Sequence, residues 1–158
     1  MQLEKRSQAL WHMFGKQSTR ALVLGCAHDD TALWDTLGIQ TILAVDTDPA
    51  VIDAVTNAAR QCQVDACVCD MTSPDAWATH ISGTFDAISC MVVQSVPQDM
   101  IQPLFERVAS VLRPGGFFFG TTTVEMFPSV DMIASSVGLT RIWTRQENGY
   151  CAFTFVHS

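Results

Sequence analysis

A chain of 158 residues with a net charge of −7 has the length of one folded domain and can bury one continuous core. Its apolar fraction of 48% and charged fraction of 16% exclude an intrinsically disordered chain, and no apolar run approaches the roughly 20 residues that span a bilayer. The negative balance and nine scattered basic residues argue against nucleic acid, whose binding rests on clustered Lys and Arg.

In chain order, the first expected element is a helix over Leu3 to Phe14, closed near Gly15 and carrying Trp11 and Phe14. The N-terminus lacks the unbroken apolar segment of a secretory signal, so a cytoplasmic location is the expectation. Five short apolar runs then read as buried strands: Ala21 to Leu24, Thr41 to Val45, Val64 to Cys69, Phe85 to Met91 and Phe117 to Thr121. Helical patterns separate them. Thr31 to Leu37 has the Trp and Leu spacing of a short helix, and Pro49 to Cys62 begins with Asp48 as N-cap and Pro49 at the first helical position. Ser73-Pro74-Asp75 starts a third helix.

Gln98 to Leu112 is the strongest helix, because Ile101, Leu104, Phe105, Val108 and Leu112 fall on one face. Arg113-Pro114-Gly115-Gly116 breaks it and turns the chain into the fifth strand. A last helix is expected over Val130 to Val137, closed by Gly138. Two β-rich stretches, Thr140 to Arg145 and Tyr150 to Val156, flank Asn148-Gly149, a strong hairpin signal. The expected fold is therefore one α/β domain, Rossmann-like and doubly wound, with a mostly parallel sheet, helices on both faces and an antiparallel C-terminal pair.

In such a sheet, ligands bind beyond the carboxyl ends of the strands where strand order reverses. Those ends read Leu24-Gly25-Cys26-Ala27-His28, Val45-Asp46-Thr47-Asp48, Cys69-Asp70-Met71 and Ser89-Cys90-Met91. Two strand-end carboxylates, Asp46 and Asp70, suit a nucleoside: one can accept from both ribose hydroxyls, the other from an adenine amino group. The plainer reading is that such Asp residues end strands and cap helices. The six cysteines, at 26, 62, 67, 69, 90 and 151, include no Cys-x-x-Cys pair and no His at zinc spacing, so reduced core thiols are expected and no metal site.

With these residues in view, the chain resembles the class I S-adenosylmethionine-dependent methyltransferases, in particular the branch acting mostly on small molecules. Ala21-Leu22-Val23-Leu24-Gly25-Cys26-Ala27 is similar to the family's first motif, which it leaves at Val23, Ala27 and Asp29. There the usual residues are acidic, Gly and Gly. Asp46 matches the ribose-binding acid and Asp70-Met71 the adenine-binding pair. Phe85 to Pro97 resembles the fourth-strand motif, and Leu112 to Gly116 the signature before strand five.

The resemblance implies S-adenosyl-L-methionine as cofactor, held by Gly25, Cys26, Ala27, Asp46, Thr47, Asp70, Met71, Cys90 and Met91. It also implies a small-molecule acceptor, direct methyl displacement, and an N-terminal helix within residues 1–18 of the kind that in relatives often folds over the cofactor, although Trp11 and Phe14 read rather as packing that helix onto the sheet. Gln94 and Ser95 stand where relatives often carry a substrate-facing His. Gln94 is thus the candidate substrate orienter, though it cannot serve as a base. His28 reads as an ordinary surface side chain, Asp29 and Asp30 as helix caps, and Glu125 as a solvated loop carboxylate. The competing reading is a catalytically silent methyltransferase-like subunit that supports a protein partner, with a homodimer also open. An NAD-dependent oxidoreductase would need Gly-x-Gly-x-x-Gly, of which only Gly25 is present.

Overall fold

The computed structural model describes residues 19–26, 31, 34, 35 and 38–158. The expected helix over Leu3 to Phe14 lies outside them. Seven strands form one sheet: β1 (Arg20–Leu24), β2 (Thr41–Asp46), β3 (Gln63–Val68), β4 (Phe85–Cys90), β5 (Leu112–Thr123), β6 (Leu139–Glu147) and β7 (Tyr150–His157). Their order is β3-β2-β1-β4-β5-β7-β6. The first five run parallel, and β7 pairs antiparallel with both β5 and β6. The helices are α1 (Pro49–Asn57), α2 (Pro74–His80), α3 (Gln98–Val111) and α4 (Phe127–Ser136). A 3₁₀ turn at Val93–Ser95 follows β4, and Thr31, Trp34 and Asp35 are helical, as expected of that segment.

The central strands are apolar on both faces because helices cover both. Leu22, Leu24, Ile88 and Phe118 pack on one face with Trp77, Leu104, Phe105 and Val108. Ala21, Val23, Ile42, Ala44 and Phe119 pack on the other with Trp34, Ile52 and Val55. Phe118 meets Phe105 edge-on at 5.1 Å and Phe153 at 5.6 Å, and these contacts tie α3, β5 and β7 together.

At the amino end of the sheet, the Asp86 carboxylate accepts from Thr19 N, Thr19 Oγ1, Arg20 N and Arg113 Nε. One buried-edge carboxylate thereby fastens the start of β1 to β4 and β5.

Four expectations change, one of burial and three of boundary, each for a local reason. The third strand is not fully buried: β3 is an edge strand, and Val68 at its end is 47% exposed. The helix expected to reach Cys62 ends at Asn57, because Asp35 Oδ1 accepts from Gln61 N and Cys62 N and holds that stretch in another conformation.

The breaker cluster lies inside β5, where register jumps from Phe85 with Leu112 to Ala87 with Phe117. Gly116 makes that jump possible, since a Cβ there would sit 2.9 Å from Asp86 O. The last helix starts at Phe127, three residues earlier than expected, with Pro128 in its first turn and Met126 N bonded to Thr123 Oγ1. The hairpin forms as its Asn-Gly predicts, with φ of 53° at Asn148 and 80° at Gly149.

Candidate functional site

Strand order reverses between β1 and β4, and a cleft of about 420 Å³ opens beyond the carboxyl ends of β1, β2 and β3. The turn after β4 forms its opposite wall. Gly25, Asp46, Thr47, Asp70 and Met71 line it together, as the strand-end reading expects. Gly25 turns the chain out of β1 with φ of +66° and bonds through its amide to Val45 O at 2.9 Å. Its bare Cα lets the turn pack directly on Val92, and Met71 Cε would lie 3.9 Å from a Cβ placed there.

The two carboxylates are held alike. Asp46 Oδ1 accepts from Asp48 N at 2.9 Å, and Asp70 Oδ1 accepts from Thr72 N and Thr72 Oγ1 at 2.8 and 2.7 Å. Each is oriented through one oxygen, and the second oxygen of each bonds to none of the described residues. The loop after β3 is pinned from below, where Trp77 Nε1 donates to Met71 O at 2.6 Å. Cys69 lines the cleft but is only 8% exposed. Burial, together with neighbouring Cys67 and Asp70, pushes its thiol up to about 12.

Three residues expected at the cofactor are not among the cleft walls. Cys26 and Cys90 are buried in opposite faces of the sheet, and Met91 packs against the Val23 side. Met91 instead presents its carbonyl to Thr121 Oγ1 at 2.7 Å. Ala27, His28, Asp29 and Asp30 lie outside the described residues.

Gln94 is half-buried and turned inward: Nε2 reaches Met91 O at 3.4 Å, and buried Oε1 has no hydrogen-bond partner among the described residues. Ser95 takes the place at the cleft wall, with Val92, Val96 and Pro97. The signal for this was the spacing Val93 to Val96. In a three-residue turn both point into the core, where they are 0% and 4% exposed, and Ser95 is left facing out.

The sheet order, with a cleft at its switch point, defines a Rossmann-like domain, whose ligands bind beyond the carboxyl ends of the strands. The chain belongs to the methyltransferase domain family, whose model matches residues 21–116, from β1 to the register jump in β5. S-adenosylmethionine is the cofactor of that family.

Among solved structures, the chain is similar to a TehB-like SAM-dependent methyltransferase from Corynebacterium glutamicum, with a TM-score of 0.75 and 18% identity over 96% of this chain and 87% of that one. It is also similar to the N-methyltransferase NodS of Bradyrhizobium japonicum in complex with S-adenosyl-L-homocysteine, with a TM-score of 0.72 and 14% identity over 98% and 86% of the two chains. Magnesium protoporphyrin IX methyltransferase of Synechocystis, with bound SAM, gives a TM-score of 0.75 and 13% identity over 99% and 79%. No curated protein sequence matches the chain. Among the described residues no helix is long and apolar enough to cross a membrane.

Proposed function

We propose that this chain is an active methyltransferase that moves the methyl of S-adenosylmethionine to a small-molecule acceptor. One observation carries the reading: Asp46 and Asp70 face one cleft with Gly25, and each keeps one oxygen without a partner among the described residues. That donor set fits the cofactor. Asp46 would accept from the ribose hydroxyls, Asp70 from the adenine amino group, and Met71, Val45 and Val96 would flank the rings with apolar surface. The cleft volume falls within the range of small-ligand pockets. In this reading residues 1–158 form one domain, with 1–18 near the cofactor.

The bound cofactor supplies a methyl group activated by a sulfonium. What the chain adds is alignment and exclusion of water, which suffices for a displacement whose leaving group is already charged. Ser95, exposed on the wall formed by the β4 turn, is placed to meet an acceptor, and Gln94 supports that turn from beneath. Isothermal titration should show S-adenosylmethionine binding, and radiolabelled methyl should enter the low-molecular-mass fraction of a cell extract. No heat at millimolar cofactor would sink the proposal.

A second reading, a silent subunit supporting a partner, rests on the first-motif departures. Val23, which replaces the usual acid, is 1% exposed and packs with the Phe119 face. Light scattering on cell-purified material decides against it if a monomer or homodimer turns over.

A further inference from the structure

The six cysteines sort by their places in the sheet. Cys26 and Cys62 lie on the Val23 face, one beyond the carboxyl end of β1 and the other before the amino end of β3. Cys90 and Cys151 lie on the opposite face at β4 and β7, with β5 between those strands. Cys67 and Cys69 share that second face two residues apart at the end of β3, packed with Val45 and Trp77. Their thiols are close enough to interact: after burial, Cys67 is the largest influence raising the Cys69 thiol.

The backbone around this pair is lightly held. β3 pairs only with β2, its ladder ends at Val68, and one further bond, from Cys69 N to Asp46 O at 2.9 Å, fixes the next residue. Val68, between the two cysteines, is 47% exposed and has little packing to lose. Residues two apart on a strand have Cα atoms about 6.6 Å apart, near the upper end of the roughly 4.4–6.8 Å that a disulfide spans. Joining the two sulfurs therefore bends the chain at Val68 and frees the Cys69 amide. Asp70 follows directly, at the head of the turn that Thr72 N closes on its carboxylate.

We propose that Cys67 and Cys69 form an oxidation site, in which hydrogen peroxide converts the two thiols to a disulfide that draws Asp70 off the cleft wall, and a dithiol reverses the change. The effect on S-adenosylmethionine binding rests on the cofactor reading above; the disulfide does not. Half-buried Cys67 is the sulfur that peroxide reaches first, because Cys69 is only 8% exposed and its thiol is pushed up to about 12. The Cys67 sulfur attacks one peroxide oxygen: the O–O bond breaks, an S–O bond forms, and the thiol proton leaves with the other oxygen as water. The Cys69 sulfur then attacks the Cys67 sulfur. The S–S bond forms, the S–O bond breaks, and the Cys69 proton departs with the hydroxyl as a second water. Two electrons pass from the thiols to the peroxide.

The test treats the full chain with hydrogen peroxide and follows it in three ways. Mass spectrometry without reduction should find the peptide holding Cys67 and Cys69 lighter by two hydrogens, and dithiothreitol should restore it. Hydrogen exchange should quicken at the Cys69 and Thr72 amides of the oxidised chain, because both give up their acceptors when the chain bends. Isothermal titration should show S-adenosylmethionine bound about tenfold more weakly after oxidation, the scale of one hydrogen bond to an ionised group, with recovery on reduction. Cys67→Ser should bind as the reduced wild type does and lose no affinity under peroxide. An equal loss in Cys67→Ser would place the damage at Met71 and overturn the inference. So would the absence of the disulfide, or a disulfide that leaves amide exchange unchanged. If the reduced chain binds no S-adenosylmethionine, the cofactor reading fails, while the mass and exchange measurements still decide the oxidation site.

Discussion

Gly25 and Val92 hold the two walls of the cleft in contact, the turn after β1 lying so close to the turn after β4 that any Cβ at Gly25 would overlap Val92 Cγ2. Gly25 also has φ of +66°, which costs a non-glycine residue about 1–3 kcal/mol. Gly25→Ala should therefore lower unfolding free energy by at least that much in a denaturant titration. Adding Val92→Ala should recover the steric part and leave the backbone part, and full recovery would show that the φ carries no strain.

Asp46→Asn keeps Oδ1 as acceptor for Asp48 N, so the turn after β2 should survive. The charged partner proposed for the ribose is lost, at about 1.5–3 kcal/mol for a hydrogen bond to an ionised group. Titration calorimetry should show cofactor affinity reduced at least tenfold with an unchanged thermal midpoint.

The Asp86 carboxyl is pushed up by partial burial, but hydrogen bonds from Thr19, Arg20 and Arg113 outweigh this and hold it below the usual carboxylate range. A group with a depressed folded value stabilises above its unfolded value of about 4, and that contribution disappears as pH falls through the folded value. Stability of the wild type should thus drop below about pH 4, measured by urea midpoints across pH. Asp86→Asn should be less stable at neutral pH and lose less on acidification.

Phe118 is fully buried where α3, β5 and β7 meet. Phe118→Ala should cost about 3–5 kcal/mol, because the three elements cannot close together over the gap. A loss under about 1 kcal/mol would mean the cluster repacks freely.

Cys69 borders the cleft yet should resist alkylation. With its thiol raised to about 12 by burial, Cys67 and Asp70, almost no thiolate exists at pH 8. Mass spectrometry after iodoacetamide treatment should find Cys69 unmodified in the folded chain and modified after denaturation.

The site was legible in the sequence where a residue's role follows from its place at a strand end. Gly25, Asp46, Thr47, Asp70 and Met71 each directly follow or end an apolar run, and all five reach the cleft. Cys90 and Met91 obey the same rule and do not. β4 lies between two neighbours, its last residue Cys90 is buried in one face of the sheet, and Met91, in the turn beyond it, packs half-buried on the other. Gln94 and Ser95 are adjacent polar residues whose directions depend on a three-residue turn that the sequence marks only through Val93 and Val96.

Sequence alone determined the alternation of strands and helices, because apolar period and caps are local properties, and its motifs carried the resemblance to the family. Tertiary structure alone decided which of two adjacent polar residues faces the cleft, that β3 forms an edge, and where α1 stops. The end of α1 rests on a contact between distant parts of the chain, Asp35 on Gln61 and Cys62, and so do the joining of the cleft walls, Gly25 on Val92, and the fastening of three strands by Asp86. No local pattern encodes a partner that only folding brings near.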